Sequence, residues 1–245
     1  MRNIKLTIEY DGTRYCGWQV QSNGVTVQAV LQKAISKMTG GSKVTLYGAS
    51  RTDAGVHSLG QTANFHTTSK ITRDGFLRGL NSILPDDISI RDVEEVPLAF
   101  HSRRSAKRKH YRYLIYCDKP KLALLRNRAW YLQARPDVKI MNGAAKALVG
   151  IHDFSSFCAS GDTNRSKERE IKSISVRNDR VSCFNLIVID VIGTGFLKYM
   201  VRNIVGTLIK VGSRTEMKAI LESKDRNKAG VTAPAQGLYL LEVLY

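Results

Sequence analysis

The sequence predicts an α+β protein built as two similar halves, each an antiparallel sheet with helices on one face. Three observations carry this. Short runs alternate apolar and polar residues, which is the period of half-buried strands. Between them lie stretches with apolar residues every three or four positions, the period of amphipathic helices. The order β, α, β, loop, β, α, β in residues 1–103 is followed by β, α, β, β, α, β in residues 104–245, so the same rhythm runs twice. No strong sequence repeat accompanies it, and the likeness is architectural. The boundary between residues 1–103 and 104–245 is set where the composition turns basic.

The first strand is read from Ile4, Leu6, Ile8 and Tyr10, which alternate with Lys5, Thr7 and Glu9 and stop at Asp11-Gly12. Tyr15-Cys16-Gly17-Trp18-Gln19 is an aromatic loop, either a packing plug or a surface for stacking on nucleobases. Val27, Val30, Leu31, Ala34, Ile35 and Met38 predict a helix over residues 26–39, stopped by Gly40-Gly41. Lys43 to Tyr47 reads as a strand, then a polar loop, then a strand from Gln61 to His66. Phe76, Leu77, Leu80, Ile83 and Leu84 predict a helix closed by Pro85, and Ile88 to Val96 a strand.

In the second half, His110 to Cys117 predicts a strand with Tyr111, Tyr113 and Ile115 on one side and Arg112, Leu114 and Tyr116 on the other. A helix follows around Met141 to Val149 and ends at Gly150. His152 to Asn164 reads as a polar loop, and Asn164 to Arg169 as a basic stretch. Glu170 to Val176 and Val181 to Ile192 form a hairpin turning near Asn178-Asp179. Helices over Phe196–Val211 and Thr215–Ser223 and a closing strand over Leu238–Val243 complete the chain.

The charge balance narrows the function classes. Lys and Arg number 38 against 21 Asp and Glu, a formal net charge of +17 with an isoelectric point near 9.9. Residues 1–103 carry 12 basic and 9 acidic residues, and residues 104–245 carry 26 and 12. An excess of this size points to a polyanionic partner, nucleic acid before any membrane surface. Arg103, Arg104, Lys107, Arg108, Lys109 and Arg112, with Tyr111 and Tyr113 among them, form a basic and aromatic stretch that suits RNA; its plainer reading is a solvated crossover. Four cysteines, Cys16, Cys117, Cys158 and Cys183, are scattered without a Cys-x-x-Cys pair, which argues against a zinc site and a disulfide scaffold. The start of the chain has no signal-peptide core, and no apolar run is long enough to span a bilayer. A soluble, cytoplasmic protein is expected.

Chemistry concentrates in Gly48 to His57, GASRTDAGVH. Asp53-Ala54-Gly55 is turn chemistry, and Arg51 stands two residues from the Asp53 carboxylate. A turn residue is the plain reading of Asp53; a catalytic carboxylate is the other. His57 is read as a brace for the loop by hydrogen bonding. On the last long helix, Met200, Val201, Ile204, Val205, Leu208 and Ile209 share one face, with Arg202 at its rim and Asn203 and Lys210 pointing away. A rim arginine ordinarily snorkels to solvent; otherwise it leans over the apolar edge to a carboxylate.

Several strings then appear in a telling order: Tyr10-Asp11-Gly12 with Tyr15 and Gly17-Trp18-Gln19; Arg51 to His57; His101 to Ser105; Tyr111-Arg112-Tyr113; Asp153 to Phe157; Met200 to Gly206; and Gly237 to Leu240. Together they closely resemble the TruA family of tRNA pseudouridine synthases, over essentially the whole chain. The resemblance implies the pseudouridine synthase fold, with the two sheets joined around a central RNA-binding cleft. It implies cofactor-free and metal-free isomerisation of uridine to pseudouridine at positions 38, 39 and 40 of the anticodon stem-loop, by a homodimer acting on tRNA. Carried onto this chain, it makes Asp53 the nucleophile, Arg51 and Arg202 its basic neighbours, Tyr111 the partner of the target base and Leu238 a pocket-lining residue. Ser50 stands where the family usually has glycine, and Lys198-Tyr199 where Tyr-His is frequent.

The chemistry agrees with that assignment. The reaction breaks N1–C1′, turns the uracil over and joins C5 to C1′, with no oxidation. A carboxylate can attack C1′ or C6, or assist elimination from the sugar. A neighbouring arginine favours its ionised form. Two other classes fit the same composition: a non-catalytic RNA-binding module, which leaves Asp53 without a task, and a hydrolytic nucleosidase, which would release free uracil.

Overall fold

β1 (Arg2–Tyr10) follows the expected alternation, with Ile4, Leu6 and Ile8 fully buried. The computed structural model describes residues 1–41, 43–162 and 165–245. The further elements, in chain order, are α1 (Val27–Met38), β2 (Tyr47–Gly48), β3 (His57–Thr67), α2 (Arg73–Ile83), β4 (Ile88–Val96), β5 (Arg108–Tyr116), β6 (Trp130–Tyr131), α3 (Val138–Ala145), β7 (Gly150–Asp153), β8 (Glu168–Val181), β9 (Phe184–Gly193), α4 (Met200–Lys210), α5 (Arg214–Ser223) and β10 (Leu238–Leu244). The class is α+β, as the sequence predicts. By internal packing the chain forms two units, Met1–Lys107 with Leu240–Tyr245, and Arg108–Tyr239.

In the first unit β1 is the middle partner of β3 and β4, antiparallel to both, with Leu6 opposite Ala63 on one side and Val93 on the other. Residues 240–244 of β10 continue the sheet beyond β3. Each helix starts at a threonine whose side chain accepts a backbone N–H: Thr26 from Ala29 and Thr72 from Gly75. Leu84, which precedes Pro85, is extended and ends α2. Val27, Leu31, Ile35, Phe76 and Leu80 of the helices pack with Ile4, Leu6, Ile8, Phe65 and Ile90 of the strands. Trp18 and Tyr15 join this core, so the aromatic loop packs as a plug.

The strand read over Lys43–Tyr47 needs correction, since only Tyr47–Gly48 pairs with β3, at Asn64 and Ala63. Val44 and Leu46 are buried, as alternation requires. Their carbonyls, however, accept from Gln32 Nε2 and Gln28 Nε2 of α1, each at 2.8 Å. Helix side chains take the place of a neighbouring strand, so the period survives without the ladder.

In the second unit the strand order is β5-β9-β8-β7, with β6 parallel to β5. Tyr111, Tyr113 and Ile115 lie opposite Val191, Ile189 and Ile187, and all six are buried. Four expectations change here. The β8–β9 hairpin turns at Ser182-Cys183, with Ser182 at φ +57°, while Asn178 and Asp179 stay in the ladder opposite Ile187 and Leu186. His152 and Asp153 belong to a strand, β7, paired with β8; the part of the expected loop and basic stretch that falls on Thr163 and Asn164 lies outside the described residues. The last long helix starts at Met200, because Tyr199 is left-handed at φ +62°. Asn203 is fully buried instead of pointing away. Its Nδ2 donates to Phe157 O at 2.8 Å, and its Oδ1 accepts from Thr232 Oγ1 at 2.7 Å and Arg226 Nη2 at 3.1 Å. The chain after α5 covers the side of α4 that a two-sided wheel leaves open.

Candidate active site

The loop from Gly48 to His57 is an extended segment turning at Asp53, fastened along its length in the first unit. Ala49 N donates to Thr62 O at 2.8 Å. Gln61 then grips Ser50 at both ends, accepting from its N–H at 3.2 Å and donating to its carbonyl at 2.7 Å. Gln61 is fully buried, so losing this grip would strand four polar groups. Thr52 faces inward, its hydroxyl 2.7 Å from Tyr10 OH and its carbonyl accepting from Trp18 N at 3.1 Å. Gly17 permits that approach: at φ +87°, a Cβ there would sit 2.5 Å from Thr52 O.

Beyond Thr52 the turn closes through Val56 N to Asp53 O at 3.2 Å, with Gly55 at φ +79°. His57 is buried and braces the base of the loop, its Nδ1 lying 3.1 Å from Gly12 N and 3.0 Å from Asp11 Oδ1. Nδ1 either accepts from Gly12 or, protonated, faces the Asp11 carboxylate. The result is a rigid frame in which Arg51 is exposed, Thr52 buried and Asp53 half-buried. Ser50, the departure from the family's glycine, uses only its backbone in the Gln61 grip.

The remaining candidates lie in the second unit. Arg202 does not simply snorkel. Its Nε donates to Ala233 O at 2.7 Å, and its own carbonyl accepts from Ala233 N at 3.1 Å. Its guanidinium carbon stands 4.9 Å from the Tyr199 ring centroid, and Lys198 Nζ is 5.2 Å from the same ring. Lys198-Tyr199 thus helps to hold the arginine. Tyr111 is buried and meets Phe196 edge-on, ring centroids 5.0 Å apart. Tyr113 donates its hydroxyl to Pro234 O at 2.7 Å. Burial pushes that hydroxyl's pKa far up and the nearby Arg202 charge works against the rise, so Tyr113 is a neutral donor. Leu238 is buried at the start of β10.

Asp53 and Arg51 therefore share one frame, and Tyr111, Arg202 and Leu238 belong to the other unit. Sequence reading missed the supports: the Gln61 grip on Ser50, the Asn203 cluster, and Asp190. That last carboxylate accepts from Arg112 Nε at 2.8 Å, His110 Nε2 at 2.9 Å and Arg177 Nη1. Burial opposes its charge, but these three donors hold its pKa well below the usual carboxylate range. The alternation of Arg112 against Tyr111 was the only hint of it. Among the described residues no group of three or more His, Cys, Asp or Glu is arranged to hold a metal ion, and no helix is long and apolar enough to cross a membrane.

Fold and loop together define a class: an α+β protein, strongly basic, that presents one aspartate on a braced turn. Comparison with known proteins makes it specific. The sequence profile of a family described as tRNA pseudouridine synthase matches residues 6–103 and 144–245. Proteins named tRNA pseudouridine synthase A are similar over the full length of both chains: 51% identical in Ruminiclostridium cellulolyticum, 50% in Acetivibrio thermocellus and 48% in Thermoanaerobacter pseudethanolicus. The chain belongs to the tRNA pseudouridine synthase family.

Proposed function

We propose that the protein converts uridine to pseudouridine at positions 38, 39 and 40 of the tRNA anticodon stem-loop, with Asp53 as the catalytic nucleophile. The observation that carries this reading is the Asp53 turn, whose backbone is fastened before the half-buried carboxylate at Ser50 and Thr52 and after it at Gly55 and Val56. A nucleophile needs such a frame, because attack requires near-ångström placement.

Whichever atom Asp53 engages first, the balance is the same. N1–C1′ breaks and its electron pair goes to uracil. The base turns so that C5 meets C1′, and the C5–C1′ bond forms. C5 loses its proton and N1 gains one. Substrate and product are isomers, so no electron acceptor enters. Tyr111 stacks on the freed base during the turn, and Leu238 lines its pocket. Arg202, anchored by Ala233, orients the carboxylate and favours its charged form. Arg51, exposed on the same turn as Asp53, adds positive potential for carboxylate and phosphate alike. Water must be kept out, or the broken glycoside is hydrolysed. The target uridine leaves its helical stack to react. The reading includes a cytoplasmic homodimer that binds tRNA with both protomers.

The test is incubation of the protein with unmodified tRNA and mapping of pseudouridine. Product at positions 38, 39 and 40 is expected, and product elsewhere overturns the positional part. Asp53→Asn is expected to lower the rate by at least about a thousandfold while tRNA affinity stays within about threefold. A variant that retains activity refutes the role of Asp53.

A further inference from the structure

The first unit carries a second feature suited to RNA. Tyr47 and His101 stand face to tilted face, centroids 4.8 Å apart at 42°, and with Arg103 and Arg104 they line an open cleft of about 450 Å³. Tyr47 is 37% exposed, and both arginines are exposed. An aromatic pair lining one open cleft with two exposed arginines offers stacking and charge together.

The cleft is also built. Ser102, at the centre of its turn and fully buried, donates Oγ to Tyr47 O and N to Asn64 Oδ1 at 2.8 Å, and accepts from Tyr245 OH at 2.9 Å. The turn closes through Ser105 N to His101 O at 2.9 Å. Asn64 is itself bonded to Asn3, at 2.9 Å. His101 Nδ1 accepts from Arg103 N at 3.2 Å, which puts the ring proton on Nε2. Burial, then the nearby Arg104 charge, lowers the His101 pKa, so the ring is neutral at pH 7. A neutral imidazole stacks and donates one hydrogen bond without adding a third positive charge.

We propose that this cleft is a nucleotide subsite: an unpaired base of the substrate RNA stacks on the Tyr47–His101 pair while Arg103 and Arg104 hold the adjoining phosphates. The ligand class follows from the parts. Aromatic faces accept any base, and guanidinium groups grip phosphate in a planar, two-pronged way. The subsite is not the reacting one. Tyr47 and Gly48 pair opposite Asn64 and Ala63, and the chain then bends at Ala49 and passes Thr62 and Gln61 before the separate turn at Asp53. The cleft is lined by Tyr47, His101, Arg103 and Arg104 without Asp53, so the subsite takes a nucleotide other than the reacting one. The proposal rests on the reading of the protein as a tRNA-modifying enzyme.

Its test compares full-length wild type with Tyr47→Ala, Tyr47→Phe and the double variant Arg103→Ala/Arg104→Ala. Each is titrated against an unmodified tRNA transcript and against a blunt RNA duplex. Tyr47→Ala is expected to weaken tRNA binding about tenfold, the scale of one lost stacking contact, and to leave duplex binding unchanged. Tyr47→Phe should bind tRNA within about twofold of wild type. The double variant should lose affinity and flatten its salt dependence by about one unit of slope per lost phosphate. Tyr47 contributes its carbonyl to the turn, which alanine keeps, so the unfolding temperature is expected to hold; if Tyr47→Ala does not fold, the double variant decides. Wild-type tRNA affinity in Tyr47→Ala, or equal loss on the duplex, overturns the subsite. Lack of pseudouridine formation by the wild type refutes the catalytic reading instead, and leaves the binding comparison intact.

Discussion

Asp190 is surrounded by His110, Arg112 and Arg177, and its side chain is 12% exposed. Its ionised form is favoured in the folded protein, so its pKa lies below the ordinary 3.8. A depressed carboxylate pKa stabilises the fold fully above the unfolded value, and that stability is lost as pH falls from about 4 toward the folded value. Asp190→Asn is therefore expected to cost about 3 kcal/mol at pH 7, because the cations lose their counter-charge. It should also flatten the stability profile below pH 4. Urea melts of both proteins between pH 2 and 7 check this, and parallel profiles would refute it. The same scale shows what the sequence made legible of the site. Asp53 and Arg51 stand in one contiguous string, so turn chemistry and family resemblance both pointed to them. The Gln61 grip was not legible and Asn203 was read as pointing away, because their partners are eleven or more residues distant and a polar residue gives no sign of burial until its partner is placed.

At the level of elements, α4 is positioned by absence of side chain. A Cβ on Gly206 would meet Val231 O at 1.7 Å, and one on Gly230 would meet Gly206 O at 2.3 Å. The segment that crosses here continues to Ala233, which anchors Arg202. Gly206→Ala must push that segment outward, and overpacking of this kind costs about 1–3 kcal/mol. We expect a lower unfolding temperature and a lower kcat with KM little changed, since the displaced anchor orients Arg202. Normal stability together with normal kcat would refute the close approach. The elements themselves were largely readable: β1, α1, α2, β4, β5, α5 and β10 fall where the apolar period puts them. The misplacements have a common cause. Asn178-Asp179 has turn chemistry, but Val181 pairs with Phe184, so the ladder runs on until Ser182 takes the left-handed conformation. Phe196 to Tyr199 keep an apolar pattern, yet Tyr199 breaks the helical path before Met200. Local signals lost to tertiary pairing in both.

For the whole molecule the governing quantity is charge. The unit Arg108–Tyr239 holds 24 basic and 11 acidic residues, so it carries most of the net +17. Part of that charge is used internally. Arg112 and Arg177 bond Asp190, Arg226 bonds Gly230 O and Asn203, and Arg202 bonds Ala233 O. Others, such as Arg126 and Arg180, are exposed. Exposed cations attract the RNA backbone by displacing its counterions, a contribution that salt cancels without regard to sequence. On the proposed mechanism, chemistry at Asp53 follows binding and involves groups held by the fold, which salt screens far less than an exposed phosphate contact. Binding and turnover should therefore respond to salt differently. With six or more phosphates contacted, tRNA affinity is expected to fall about a thousandfold between 50 and 200 mM monovalent salt. The single-turnover rate at saturating protein should change less than about threefold over the same range. Asp53→Asn should show the same salt slope in binding as wild type, because it removes one acidic group and no cation. Filter binding and single-turnover assays across the salt series measure the two quantities separately. An affinity flat in salt would mean that the basic surface does not carry the RNA, and the contribution assigned to the second unit would fall with it.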